Sequence, residues 1–172
     1  MSDNTQYDAV VIGAGMSGMY LIYRLRELGL SFRVYEAGTD LGGTWYWNRY
    51  PGARFDSESY TYGYSFSEEL LEEWEWSEHF SGQPETLGYL NYVADKFDLR
   101  KFIQFETRIE NATYDESENL WEIRTGLDDC VHARFLITAI GVLSAPYIPD
   151  FDGIGSFRGD SWHTSLWPHQ QV

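Results

Sequence analysis

The residues with the most chemistry in their spacing are Gly13, Gly15 and Gly18, in the run Gly-Ala-Gly-Met-Ser-Gly, and Glu36, eighteen residues after the last of them. A first glycine permits a tight turn, a second lets backbone approach a pyrophosphate, and a third lets a helix lie close to a strand. The amides and positive dipole end of a helix starting there favour phosphate charge, and Ser17 adds a hydroxyl donor. A carboxylate at Glu36 accepts hydrogen bonds from two ribose hydroxyls and repels a ribose 2′-phosphate. The pattern points to an unphosphorylated dinucleotide and excludes NADP from this first site, leaving FAD and NAD open.

For these residues to meet, a strand must end at Gly13, a helix must begin just after it, and a second strand must end at Glu36. Residues 7–12 (YDAVVI) are the apolar, β-branched run of a buried parallel strand. From Met16 to Leu28 the residues Met19, Ile22, Leu25 and Leu28 recur at helical spacing, and Gly29 supplies a stop. Residues 32–35 (FRVY) complete a right-handed βαβ crossover. The expected fold class is α/β, a Rossmann-like domain with a parallel sheet plus a β-hairpin or meander insertion.

Downstream, residues 42–64 read as an aromatic loop, and a loop of that length is usually functional. Residues 67–78 carry six glutamates and read as a solvated helix face. A helix is expected over 85–97 and strands over 102–109, 112–115 and 120–125, with a turn at 116–119. A last buried strand over 134–140 closes at Gly141, and Pro146 and Pro149 mark an extended exit, which places the end of the domain proper near Ala145.

Composition removes several function classes. A formal charge of −15 over 172 residues, with no basic run, repels phosphate backbones and anionic lipid, so no nucleic-acid or membrane partner is expected. The polar start Met1–Tyr7 has no signal-peptide pattern and no window approaches a membrane span, which makes the cytoplasm the expected compartment. Cys130, the single cysteine, cannot form an internal disulfide. The histidines His79, His132, His163 and His169 lack metal-ligand spacing, and no metal is expected.

The segment Gly42-Gly43-Thr44-Trp45 through Tyr50-Pro51-Gly52 to Asp56 has the pattern G-G-x-W-x-x-x-x-Y-P-G-x-x-x-D. Phe157, Gly159, His163, Trp167 and Pro168 form a second pattern, F-x-G-x-x-x-H-x-x-x-W-P. Both resemble signatures of the Baeyer–Villiger monooxygenases. The stretches YRLRELG, ARFDSESYTYGYSFSEEL and NYVADKFDLR are similar to the phenylacetone monooxygenase branch, so the likeness runs along essentially the whole chain.

The resemblance implies FAD as the bound dinucleotide and NADPH as co-substrate of the full-length enzyme, with a ketone and dioxygen as reactants and an ester or lactone as product. It implies FAD contacts from Ser17, Glu36, Thr44, Trp45, Tyr46, Trp47, Asp56 and Tyr62, and from the backbone of Ile109. Arg54, Phe55 and Asp56 would lie near the nicotinamide, and His163 would couple cofactor binding to conformation near a hinge. Ordinary roles compete: Trp45 and Trp47 as core aromatics, Asp56 as the cap of a helix at Ser57–Tyr60, and His163 as a hydrogen-bonded structural residue.

The family's catalytic arginine and its NADPH domain would lie beyond the equivalent of Val172, and no second G-x-G-x-x-G follows residue 141. The expectation is therefore an FAD-binding domain over 1–145 and a signature-bearing linker over 146–172, inactive alone, with oligomeric state and ketone left open. Two alternatives stand: a noncatalytic FAD- or ADP-binding module, and an N-hydroxylating or sulfoxidising flavin monooxygenase, against which the Phe157–Pro168 signature argues.

Overall fold

The computed structural model describes residues 5–168, 170 and 172; residues 1–4, His169 and Gln171 lie outside the described residues. Strand β1 (Thr5–Ile12) leads through the glycine turn into α1 (Met16–Glu27), and β2 (Phe32–Tyr35) returns beside β1. Short helices α2 (Thr44–Trp47), α3 (Ser59–Tyr62) and α4 (Glu68–Glu73) precede the longer α5 (Gln83–Lys96). Four strands follow: β3 (Ile103–Gln104), β4 (Ile109–Asp115), β5 (Leu120–Thr125) and β6 (Cys130–Thr138).

All six strands share one sheet in the order β3-β2-β1-β6-β5-β4. The first four are mutually parallel, whereas β5 and β4 add antiparallel beyond β6. This is the Rossmann-like arrangement with a meander. The alternation along β1 explains its place at the centre. Ala9 and Val11 face α1 (Met19, Ile22, Leu25) and α5 (Tyr89, Leu90, Val93), while Val10 joins Tyr35, Ile123, Val131 and Ala133 in a second cluster. A strand segment buried on both faces must be apolar on both, as Ala9, Val10 and Val11 are, whereas the polar start Thr5-Gln6 is exposed. The α1 helix stops where Gly29 adopts φ 65° and the Leu28 amide caps back onto the Arg24 carbonyl.

The structure refines the sequence reading in several places. The strand expected over 102–109 is two strands: Ile103–Gln104 pairs with β2, the chain leaves the sheet at Glu106 with φ 52°, and it re-enters as β4 at Ile109. The Glu106 amide binds the Gly38 carbonyl and the Thr107 amide the Glu36 carbonyl, bonds that take this stretch out of the ladder. The last strand begins at Cys130 rather than 134, because buried Val131 and Ala133 alternate with half-buried Cys130 and His132 in an antiparallel pairing with β5. The acidic helix covers only 68–73, with Ser67 accepting from the Leu70 amide as its cap. Finally, α3 starts at Ser59 with Glu58 in the cap position and no side-chain cap bond, so Asp56 is not a helix cap.

After Thr138 the described chain contains no further strand. It carries two 3-10 turns, 154–156 and 164–166, and stays largely exposed. No helix among the described residues is long and apolar enough to cross a membrane.

Candidate functional site

β1 and β6 end side by side, Ile12 opposite Thr138, and a cleft of about 640 Å³ opens past those ends. Open parallel sheets place ligands there, outside the carboxyl ends of the strands. The cleft walls are the glycine turn, the end of β2 at Tyr35 and Glu36, the α2 turn, residues 107–109 and the chain leaving β6.

Backbone closeness forms the floor. Gly13 has φ 101°, and a Cβ on it would lie 2.6 Å from the Ala139 carbonyl oxygen. A Cβ on Gly18 would overlap the Gly13 carbonyl, so only glycine lets α1 start this near the strand. Gly15 meets Gly43 backbone to backbone: a Cβ on Gly43 would lie 2.8 Å from the Gly15 Cα. The second glycine therefore also brings the α2 turn against the phosphate-type turn, which spacing alone does not show.

Two polar features converge on this floor. The first turn of α1 has neither a side-chain cap nor an acidic residue, so its amides and dipole point unanswered into the cleft. Glu36, only 5% exposed, accepts from the Ala14 amide through Oε2 and from the Gly38 amide through Oε1, both at 2.8 Å. No lysine or arginine pairs with it among the described residues. The carboxylate is thus anchored by backbone, and each oxygen keeps capacity for a further donor.

The aromatic segment divides into two layers. Trp45 and Tyr62 line the cleft, joined by a 2.7 Å bond from the indole N–H to the phenol oxygen. Burial pushes the Tyr62 phenol up, and the Trp45 bond partly offsets it. Behind them Phe55 is buried, stacked on Tyr62 at 4.4 Å and edge-on to Trp45 at 5.7 Å. Tyr46 is buried too, its hydroxyl on Thr39 and its ring filling the space beside Gly38. Tyr64 donates to the Met16 carbonyl at 2.7 Å, fixing the start of α1, and its burial holds the phenol well above its ordinary pKa.

Of the residues singled out from sequence, Gly13, Gly15, Ser17, Glu36, Thr44, Trp45, Trp47, Tyr62 and Ile109 line the cleft. Trp47 is the exposed member of the tryptophan pair and Trp45 the buried one. Gly18, Tyr46 and Phe55 lie behind the wall. Arg54 turns away, donating to Glu78 at 2.9 Å and to the Phe80 carbonyl at 2.7 Å. Asp56 is exposed and outside the lining. His163 caps the 3-10 turn at 164–166 by accepting from the Ser165 amide at 3.1 Å, and the Ser165 hydroxyl reaches Asn48 at 3.2 Å.

The sequence reading did not single out Asn48, Arg108 or residues 139–141 and 143–146, all of which line the cleft. The signal for the last was Gly141 directly after an apolar strand, the pattern that marked Gly13. Arg108 was hidden inside a stretch read as a continuous strand.

Comparisons with known proteins carry this geometry further. A family model described as an NAD(P)-binding Rossmann-like domain matches residues 11–73. The chain is 48% identical over 163 residues to a Baeyer–Villiger monooxygenase of Pseudooceanicola batsensis, covering 94% of this chain and 30% of that protein. It is 46% identical over 168 residues to a phenazine N-monooxygenase of Lysobacter antibioticus, covering 97% and 31%. A solved structure of an oxidized steroid monooxygenase bound to NADP superposes with a TM-score of 0.92 at 54% identity, covering 98% of this chain and 32% of that one. The chain thus spans about a third of the length of the relatives it matches. Relatives named for Baeyer–Villiger oxidation and for oxidation at nitrogen thus match nearly the same span of the chain.

Proposed function

We propose, from the premise that this chain is homologous to the N-terminal portion of Baeyer–Villiger monooxygenases, that it forms the FAD-holding part of an NADPH-dependent flavin monooxygenase acting on ketones. The observation that carries the cofactor assignment is the convergence, on one cleft, of a helix start without a side-chain cap and a buried carboxylate that no lysine or arginine pairs with among the described residues. An FAD pyrophosphate suits the first and an unphosphorylated ribose the second.

In this reading the α1 amides and Ser17 hold the pyrophosphate, Glu36 takes the ribose hydroxyls, and the Ile109 backbone borders the adenine. Thr44, Trp45, Trp47 and Tyr62 form the wall towards the flavin, backed by Tyr46 and Phe55. Arg54 and Asp56 face outward, towards where NADPH would approach. Bound FAD, reduced by NADPH, would supply the electrons with which dioxygen delivers one oxygen atom into the ketone, giving an ester or lactone. The protein's tasks are to fix the cofactor and keep water from it. Residues 1–145 act as the binding unit and 146–172 as the joint, with His163 holding its last turn. The cation that stabilises developing negative charge belongs, in this proposal, to a longer polypeptide.

The relative named for phenazine N-oxidation supports a second reading, oxidation at nitrogen. The test purifies the chain, records flavin absorbance, and follows NADPH consumption with ketone, amine and no substrate. Bound FAD without substrate-dependent turnover is expected. Robust ketone-dependent turnover by these 172 residues would overturn the division of labour, and absence of FAD binding would overturn the cofactor assignment.

A further inference from the structure

The antiparallel pairing of β5 with β6 sets Glu122 opposite His132 and Arg124 opposite Cys130. Because side chains alternate along a strand, Glu122, Cys130 and His132 share one face of the meander. One ligand atom from each lies within 4.8 Å of the others, and all three residues are half-buried. Nitrogen, sulfur and oxygen donors thus meet where the sequence shows only a lone cysteine and scattered histidines.

The polar accounting leaves these donors available. His132 Nδ1 is buried with no hydrogen-bond partner among the described residues, and such an atom asks for an explanation. Arg124 contacts Glu122 at 2.6 and 3.0 Å, both times through Oε1, so Oε2 is not engaged by that pair. Cys130 is a free thiol.

We propose that Glu122, Cys130 and His132 bind a thiophilic divalent cation of the Zn²⁺ class. Thiolate with imidazole selects borderline-soft metals, whereas Mg²⁺ and Ca²⁺ take oxygen donors. Tetrahedral Zn²⁺ wants neighbouring donors about 3.3–3.8 Å apart, within reach of small side-chain rotations from the present cluster. Three protein ligands leave a fourth position to water, which makes the site open and exchangeable rather than a closed structural one. It is separate from the dinucleotide cleft: His132 stands six residues before the cleft-lining Thr138 on the same strand, about 20 Å away.

The test uses the full chain and Zn²⁺ itself. Equilibrium dialysis with elemental analysis should give one Zn²⁺ per chain. Zn²⁺ should slow alkylation of Cys130 by iodoacetamide at least tenfold, an unambiguous readout because no other cysteine is present. Co²⁺ should produce a sulfur-to-metal charge-transfer band. His132→Ala and Glu122→Gln should each weaken Zn²⁺ binding at least tenfold while far-UV circular dichroism and FAD binding stay unchanged. Substoichiometric Zn²⁺, or alkylation indifferent to Zn²⁺, would overturn the proposal without recourse to any variant. Undiminished binding in the double variant His132→Ala, Glu122→Gln would overturn the ligand assignment.

Discussion

The parallel half of the sheet and the segment that leaves it are built from the same kinds of side chain and treat them oppositely. Val10, Val11, Ile22, Val34 and Leu90 are fully buried, whereas Val142 is 98% exposed and Phe157 64% exposed. The difference lies in periodicity. Alternation along β1 and helical spacing along α1 and α5 bring apolar groups together without further instruction. The 139–168 segment has no strand or α-helix to align its aromatics; it touches the rest through cleft-lining residues and the Ser165–Asn48 bond. One region is a core; the other presents apolar surface of the kind that marks interaction.

The sharpest way to break the first region is at the glycine floor. Gly18→Val should abolish folded, flavin-binding protein, since its Cβ would overlap the Gly13 carbonyl and backbone cannot swing aside. A cost above about 3 kcal/mol is expected, at the upper end of overpacking. Gly29→Ala is the control: nothing lies within 4 Å of its Cβ, so only the positive φ is penalised, by about 1–2 kcal/mol. Thermal melts of the two variants would separate close approach from backbone conformation.

Next in size is Glu36→Ala, which leaves the Ala14 and Gly38 amides without their carboxylate. A loss of about 2–4 kcal/mol and at least a tenfold weaker FAD affinity are expected. Glu36→Gln should recover part of the stability, because its amide can accept at only one of the two places. Equal FAD affinity in wild type and Glu36→Ala would detach the carboxylate from the cofactor.

A smaller effect distinguishes the two apolar clusters by pH. Burial pushes both Tyr35, on the Val10 side of the sheet, and Tyr89, on the helix side, up to about 12 from an ordinary 10. A raised phenol pKa gives stability that is complete below pH 10 and lost as pH rises through about 12. Tyr35→Phe should flatten that alkaline loss at little cost at neutral pH. Tyr89→Phe should also flatten it, but at a neutral-pH cost of about 1–3 kcal/mol, because the Tyr64 amide loses its acceptor. Urea unfolding between pH 8 and 11.5 checks both.

How far these features were legible from sequence follows the same divide. The βαβ unit and Glu36 were legible because spacing, turn chemistry and periodicity all agree there. The break at Glu106 was not, since its cause is tertiary: amides bond to Gly38 and Glu36, some seventy residues earlier. Phe55 and Arg54, adjacent in an aromatic loop, could not be sorted into buried and outward-facing until Trp45, Tyr62 and Glu78 were in place. The Glu122–Cys130–His132 cluster depends on cross-strand register, which no spacing within one strand encodes.

The smallest expected effect belongs to the exposed segment, and its smallness is informative. Val142 makes almost no contact with the folded chain, so Val142→Ser should change stability by no more than about 0.5 kcal/mol, as at other open surface positions. The same substitution at a buried valine such as Val34 would cost several times that, by lost apolar burial and an unpaired hydroxyl. Val142→Ser combined with Phe157→Ser should likewise leave the melting temperature and FAD affinity unchanged. A large drop in melting temperature would mean that the segment folds back onto the sheet in solution, and the contrast between the two regions would collapse.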